Sequence, residues 1–297
     1  MSALPHAVPP AAPEVRTLCP ACGAAGSAER YVKDGYRVLR CPRCASMFVS
    51  NLPTPEAISA IYQNDAYYQH PAGTLERIRR ENRLQVEWLR RHAPAGRLLD
   101  VGCASGLFLD GAAQAGWATH GVEQTPSSVA AARAKGHHVF SGTLEDFCAS
   151  DEFAPFDVVV CLEVVEHVPD PAAFVAQLAA CVRPGGILML STPNYSGVVA
   201  RAFGSRDPFF IPPEHLNFLT RRGVLAMAAK AGLTPVRSRT FGSLLPHELD
   251  RSVVKYLGPR MAPVQGLLKP VIPVAMRAVN ALGLGMEMEY CFTRAAS

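Results

Sequence analysis

Residues 98–106, Leu-Leu-Asp-Val-Gly-Cys-Ala-Ser-Gly, put an apolar strand, a carboxylate and a glycine-bearing turn directly ahead of a helical stretch. A strand this short and apolar needs cover on both faces, and a turn built on Gly102 and Gly106 lets the backbone approach a ligand closely. The alternation then continues. Strand candidates at Arg97–Val101, Ala118–Glu123, His138–Phe140, Asp157–Cys161, Ile187–Ser191, Thr234–Thr240 and Met286–Thr293 are separated by helices near Gly106–Ala115, Ser127–Lys135, Pro171–Val182 and Arg221–Ala231. This pattern predicts an α/β fold around a parallel sheet. No period of roughly 20–50 residues repeats, which excludes a solenoid. The 49% hydrophobic fraction is enough to fill such a core without disulfides.

Ahead of this region lie three segments of different character. Residues 1–16 are rich in Ala and Pro and read as a disordered leader. Residues 17–50 hold Cys19-Pro-Ala-Cys22 and Cys41-Pro-Arg-Cys44, two matched knuckles whose four thiolates can close a tetrahedral structural Zn²⁺ site. Residues 51–95 form a helical linker or lid. Its helix over Thr74–His92 carries Ile78, Leu84, Trp88 and Leu89 as the expected buried stripe, and Tyr62, Tyr67 and Tyr68 either close over a ligand or simply pack. The domain of residues 96–297 completes the chain, with a proline-rich helical insertion at 245–284. Cys103, Cys148, Cys161, Cys181 and Cys291 read as small core residues.

Charge and hydropathy narrow the surroundings. The net charge of +4 is concentrated in residues 1–97, with 13 Lys/Arg against 8 Asp/Glu, whereas the remainder is close to neutral. So small an excess is a weak footprint for nucleic acid, and the arginines at 77–83 alternate with glutamates as on a solvated helix face. No apolar stretch reaches the roughly 18 residues needed to span a bilayer. The first residues lack a basic segment followed by an apolar core, so a cytoplasmic protein with reduced thiols is expected.

The turn at 102–106 is a poor pyrophosphate cradle. The dinucleotide pattern wants glycine at positions where this chain has Gly102, Ala104 and Leu107. Asp100 at the strand end would repel a pyrophosphate but suits a cationic ligand such as the sulfonium of S-adenosylmethionine. Glu123, ending the next strand, can accept two ribose hydroxyls.

Taken in order, Asp100-Val-Gly-Cys-Ala-Ser-Gly106, Glu123, Gly142-Thr-Leu-Glu-Asp146, Phe156–Cys161 and Arg183-Pro-Gly-Gly186 resemble the motifs of class I S-adenosylmethionine-dependent methyltransferases. The resemblance covers residues 95–240. It implies a Rossmann-like sheet, mostly parallel with the last strand antiparallel, carrying a small N-terminal zinc ribbon. It also implies that Asp100, Gly102, Cys103, Ala104 and Gly106 hold the methionine moiety and Glu123 the ribose. Glu145, Asp146 and Cys161 complete the cofactor set, with the acids near the adenine amino group.

Glu163-Val-Val-Glu166-His167 follows the fourth core strand, and on a helical turn its three polar groups would share one face. His215, in Pro212-Pro-Glu-His215, lies on a later loop beyond the fifth strand and can overhang the same site. This arrangement resembles the metal site of small-RNA 2′-O-methyltransferases and of some ubiquinone-pathway O-methyltransferases. Glu163, Glu166, His167 and His215 are then candidate ligands of Mg²⁺ or another divalent ion, with Glu163, His167 and His215 as the catalytic set. The alternative from the residues themselves is His215 acting alone as a general base.

The pairing of a four-cysteine ribbon with a methyltransferase resembles bacterial enzymes of surface-polysaccharide and secondary-metabolite pathways. The expected reaction is therefore O-methylation of a small hydroxylated metabolite or sugar, with a small molecule rather than nucleic acid as partner. An RNA methyltransferase using the ribbon as a clamp would show a basic stripe from ribbon to active site. A non-enzymatic ribbon protein with an inactive Rossmann domain would not need Asp100, Gly102, Gly106 and Glu123 together.

Overall fold

The computed structural model describes residues 15–62, 74–242 and 271–295. Its main body is a seven-stranded sheet of β4 (Arg97–Val101), β5 (Ala118–Glu123), β6 (His138–Ser141), β7 (Phe156–Leu162), β8 (Val182–Pro193), β10 (Leu233–Phe241) and β11 (Glu287–Arg294). The spatial order is β10-β11-β8-β7-β4-β5-β6. Strands β4 to β8 pair in parallel, whereas β11 runs antiparallel to both β8 and β10. The expected mostly parallel sheet with an antiparallel last strand is present.

The strands read as apolar runs because both faces are covered. Leu98, Leu99, Val158, Val159 and Val160 are fully buried, with neighbours alternating between two cores. One core holds Leu98, Val158 and Val160 against α3 (Leu107–Gln114) and α4 (Pro126–Ala134). The other holds Leu99, Val159 and Cys161 against α5 (Leu144–Ala149), α6 (Pro171–Cys181) and α8 (Arg221–Lys230).

The N-terminal cysteines sit in that second core. Strands β1 (Ala28–Lys33), β2 (Tyr36–Arg40) and β3 (Met47–Val49) form an antiparallel ribbon, and Cys19, Cys22, Cys41 and Cys44 pack in the same cluster as Leu219, Val224 and Met227. A fourth strand, β9 (Asn217–Phe218), joins the ribbon from the far end of the chain and pairs with β3. The ribbon is thus tied to the loop that carries His215.

Two expectations are corrected here, and three elements are added. Val15 and Arg16 do not belong to a disordered leader: Val15 bridges Asn51, and Arg16 is held by several hydrogen bonds. On α2 (Thr74–His92) the buried residues are Gln85, Val86 and Leu89, while Leu84 is 48% exposed. Val86 and Leu89 face Phe108 and Leu109, and the Glu289 carboxylate draws Gln85 inward with a 2.9 Å bond, which turns Leu84 outward. Finally, short elements without a strong periodic signal escape prediction: α5, α7 (Val198–Phe203) and β9.

Helix α1 (Pro55–Tyr62) precedes the segment holding Tyr67 and Tyr68, which lie outside the described residues. So does most of the 245–284 insertion. Its described end is α9 (Val271–Ala281), whose Met276 packs with Val199 and Met286. No helix among the described residues is long and apolar enough to cross a membrane.

Candidate active site

In an open α/β sheet the chain leaves neighbouring strands in opposite directions at one point, and a crevice opens beyond their C-terminal ends. Here the split falls between β4 and β7, and a cleft of about 1470 Å³ opens above it. The Gly102–Ser105 turn, the Glu163–Asp170 turn and the loop around His215 all line it.

On one side stands the glycine turn. Gly102 has φ 78°, and a Cβ there would meet Val164 Cγ2 at 2.6 Å, so the residue must be glycine for both reasons. Ala104 takes a left-handed φ of 45°. Its N–H donates to Glu123 Oε2 at 2.9 Å, while the N–H groups of Gln124 and Thr125 donate to Oε1 at 2.8 Å. Glu123 therefore fixes the turn, with its carboxylate lining the cleft. Asp100 is 4% exposed, and burial, with the Glu123 charge second, pushes its carboxyl up to about 7. Two adjacent buried carboxylates call for a cationic ligand. Cys103 also lines the cleft, its thiol pushed up by burial and by the two acids.

The remaining cofactor candidates divide. Glu145 lines the cleft beside Thr143 and Leu144. Asp146 instead closes a capping box: its Oδ2 accepts from Thr143 N at 3.0 Å and from Thr143 Oγ1 at 2.6 Å. Gly106 caps α3 with its back to His137 and Ala132, and Cys161 is fully buried beneath the strand ends; neither lines the cleft.

The opposite side is built by two distant segments. The Glu163–His167 stretch is a turn, not the expected helix, because Glu163 takes φ 56° at the end of β7 and breaks any helical start. Its carboxylate turns to Ser191, whose Oγ donates at 2.7 Å. Glu166, His167 and His215 come together with ligand atoms within 4.8 Å of one another, whereas Glu163 stands outside that group. The two imidazoles meet edge to face at 4.6 Å. Backbone bonds explain why: the N–H groups of Leu216 and Asn217 both donate to Glu166 O at 2.9 Å. Asn217 Nδ2 adds a 2.7 Å bond to Val168 O, and His167 Nδ1 donates to Glu214 O at 2.8 Å.

Burial governs the electrostatics of this group. Burial pushes Glu166 up to about 8 and Glu163 well above the usual carboxylate range, the latter reinforced by Glu166 and Glu287. Burial lowers His167 to about 4, and it lowers His215 further with help from His167, so both imidazoles are neutral at pH 7. Thr192 Oγ1 donates to Glu166 Oε2 at 2.9 Å, but Glu166 Oε1 and His215 Nδ1 are buried without a partner. The Glu166 carboxyl, which a cation would deprotonate, and two neutral imidazoles make a suitable donor set for a divalent ion.

Sequence reasoning missed Asn217, Ser191 and Thr192 here, because their partners are far away in the chain and no spacing rule marks them. It also missed Arg77 and Glu287, which pair at 2.6 Å on the cleft wall.

The four ribbon cysteines are buried, with Cys19–Cys44 and Cys22–Cys41 sulfurs 3.6 Å apart. Metal–sulfur bonds of ~2.3 Å in a tetrahedron put sulfurs about 3.8 Å apart, so the cluster could hold zinc. The hydrogen bond with Cys19 and help from Ser46 pull the Cys44 thiol down to about 4. Of the other five cysteines, four are buried and Cys148 is half-buried, and all are free thiols.

Comparison with known proteins agrees with this geometry. A family model described as a methyltransferase domain matches residues 74–238. A ubiquinone biosynthesis O-methyltransferase of Aromatoleum aromaticum is 41% identical over 123 residues, which cover 38% of this chain and 51% of that protein, about half its length. The protein of the same name from Azoarcus sp. is 32% identical over 187 residues, covering 55% and 79%. The structure of magnesium protoporphyrin IX methyltransferase from Synechocystis with bound SAH superposes with a TM-score of 0.54 at 13% identity, covering 82% of this chain and all of that one. This last likeness concerns the fold. The family match spans more than half of the chain, which therefore belongs to the methyltransferase family, as an S-adenosylmethionine-dependent enzyme of the class I fold.

Proposed function

We propose that the enzyme O-methylates a small hydroxylated metabolite, with S-adenosylmethionine on the Asp100–Glu123 side of the cleft and the acceptor hydroxyl beside Glu166, His167 and His215. The observation that carries this reading is that Glu166 Oε1 and His215 Nδ1 are both buried without a hydrogen-bond partner, in a group of three residues whose ligand atoms lie within 4.8 Å of one another. The relatives named ubiquinone biosynthesis O-methyltransferase support oxygen as the methylated atom and a biosynthetic pathway as the setting.

Methyl transfer from a sulfonium is an in-line displacement, so the protein must align two molecules and take one proton. Asp100 and Glu123 counter the donor's positive charge and orient it through the glycine turn. Leu52, Ile58, Phe209 and Ile211 give the acceptor an apolar wall. His215, neutral at pH 7, accepts the hydroxyl proton at Nδ1 or lends that lone pair to a cation. Glu166, His167 and His215 would hold a divalent ion such as Mg²⁺, which supplies a lowered hydroxyl pKa when bound. His167 keeps the correct ring nitrogen turned inward because Nδ1 is committed to Glu214 O. We assign zinc to the four ribbon cysteines, as a closed structural site.

Acids outnumber cations on the described cleft wall, where Glu81, Asp100, Glu123, Glu145, Glu163, Glu166, Asp170 and Glu287 stand against Arg77. This does not favour a polyanionic RNA acceptor. The reading is tested by assaying methyl transfer to a panel of dihydroxyphenyl and sugar acceptors, before and after chelation. Turnover restored by Mg²⁺ or Mn²⁺ supports the assisted mechanism. Full turnover without any divalent ion leaves His215 as the base, and no O-methyl product on any acceptor would overturn the proposal. Metal analysis should find one zinc per chain, lost in Cys44→Ser.

A further inference from the structure

The ribbon and the acceptor side of the cleft share a fastener. Arg16, just ahead of the first cysteine knuckle, is half-buried, and its guanidinium reaches three segments at once. Nε and Nη2 donate to Val49 O on β3 at 3.0 and 2.6 Å. Nη2 also donates to Leu216 O at 3.2 Å, and Nη1 to Pro169 O at 2.5 Å and to Asn217 Oδ1 at 3.4 Å. Pro169 lies just beyond the Glu163–His167 turn, and Leu216 and Asn217 follow His215. One planar fork of five donors therefore spans the ribbon, the turn carrying Glu166 and His167, and the loop carrying His215.

The surrounding contacts point the same way. Val49 N–H donates to Leu216 O at 2.9 Å, and β3 pairs with β9 through Met47–Phe218 and Phe48–Asn217. Thr220 Oγ1 donates to Cys44 O at 2.6 Å and lies 3.1 Å from Ser46 Oγ. Lys33, at the end of β1, donates to Phe210 O within the His215 loop. None of these contacts touches the Gly102–Glu123 side of the cleft.

We propose that the four-cysteine ribbon sets the acceptor half of the active site, and that Arg16 is the positioning residue through which it does so. In its kinetic part this rests on the acceptor-side reading above; the structural coupling stands without it. A guanidinium can satisfy carbonyls of three segments simultaneously, whereas a lysine ammonium, a compact point charge, cannot span them. Loss of the fork loosens the ribbon's hold on both segments while the donor side stays in place; the main-chain bonds to Glu166 O remain.

The test compares Arg16→Ala and Arg16→Lys with Arg37→Ala, a control at an exposed ribbon arginine paired with Glu29. Three quantities are read on the zinc-loaded full chain: amide hydrogen exchange, S-adenosylmethionine affinity by calorimetry, and kcat and KM on the best acceptor of that panel. In Arg16→Ala, exchange at 163–169 and 211–218 is expected to accelerate at least tenfold while β4 and β5 are unchanged. Donor affinity should stay within about twofold and kcat should fall about tenfold or more, with Arg16→Lys recovering only part and Arg37→Ala matching wild type. Unchanged exchange at 211–218, or equal acceleration throughout the sheet, overturns the proposal. If exchange responds as expected but His215→Asn retains full turnover, the coupling stands and the catalytic reading of that loop fails.

Discussion

His167 and His215 stand edge to face at 4.6 Å, one on the turn after β7 and the other on the loop ahead of β9. Their meeting is imposed by main-chain bonds to Glu166 O, so the side chains are held in place before any acceptor arrives. Such preorganisation is what an in-line transfer requires.

Removing the group that faces the hydroxyl should then cost rate and not donor binding. His215→Asn and Glu166→Gln are each expected to lower kcat about 10²-fold or more, the usual span for a lost general base. S-adenosylmethionine affinity should change less than about threefold, because neither residue belongs to the Asp100–Glu123 side. Calorimetry alongside initial rates distinguishes the two effects, and a parallel loss of donor affinity would contradict the division of the cleft.

Asp100 gives a pH prediction with a definite sign. Its folded-state pKa is raised from 3.8 to about 7, so the folded protein binds the extra proton and ligand-free stability falls as pH rises from 4 to 7. Asp100→Asn removes that penalty: the variant should gain about 1–3 kcal/mol at pH 8 and little at pH 4, an order-of-magnitude figure from ~1.4 kcal/mol per pKa unit. The same substitution should weaken S-adenosylmethionine binding by tenfold or more at pH 8. Denaturant titrations at the two pH values check the first half, and equal gains at both would refute it.

The sheet and the donor turn were legible because local patterns encode them. Apolar runs placed β4 and β5 on their observed ends, and Asp100, Gly102 and Glu123 were marked by strand ends and turn chemistry. The acceptor side was legible in composition but not in conformation. Glu163-Val-Val-Glu-His has helical spacing, yet Glu163 takes a left-handed φ that spacing does not report. Glu166, His167 and His215 were named together, but Asn217 and Arg16, which join them, carry no local signal. Their role exists only because a two-residue strand from the C-terminal half pairs with the ribbon.

Gly102 links the two halves sterically. A methyl group at this position would press on Val164 Cγ2 at 2.6 Å, and the φ of 78° is itself unfavourable for alanine by roughly 1–2 kcal/mol. Val164 lies between Glu163 and Glu166, so relief by shifting it disturbs the acceptor turn as well as the donor loop. Gly102→Ala is expected to raise the donor Kd tenfold or more and to lower kcat as well, unlike the His215 variants. A change in Kd alone would show that the Val164 contact yields without moving the turn.

The wall formed by α2 depends on a buried carboxylate. Glu289 is inaccessible to solvent and accepts from Arg237 at 2.7 Å, from Arg239 at 2.7 and 2.9 Å, and from Gln85 at 2.9 Å. Arg239 continues to Glu81 at 3.0 Å, and Arg77, one turn earlier on α2, pairs with Glu287. Deleting Glu289 leaves two guanidinium groups beside an empty, largely dry site, the situation in which a broken buried pair costs about 3–5 kcal/mol. Glu289→Ala should therefore destabilise the fold by that amount, measured by urea unfolding. Glu81→Ala, at the less buried end of the chain of charges, should cost about 1 kcal/mol or less. Replacing Glu289, Arg237 and Arg239 together by apolar residues of similar volume should recover much of the loss, since neither guanidinium is then stranded. Acceptor KM should still rise in that triple variant, because α2 would keep its packing through Val86 and Leu89 but lose the ties that hold Glu81 and Gln85 at the cleft.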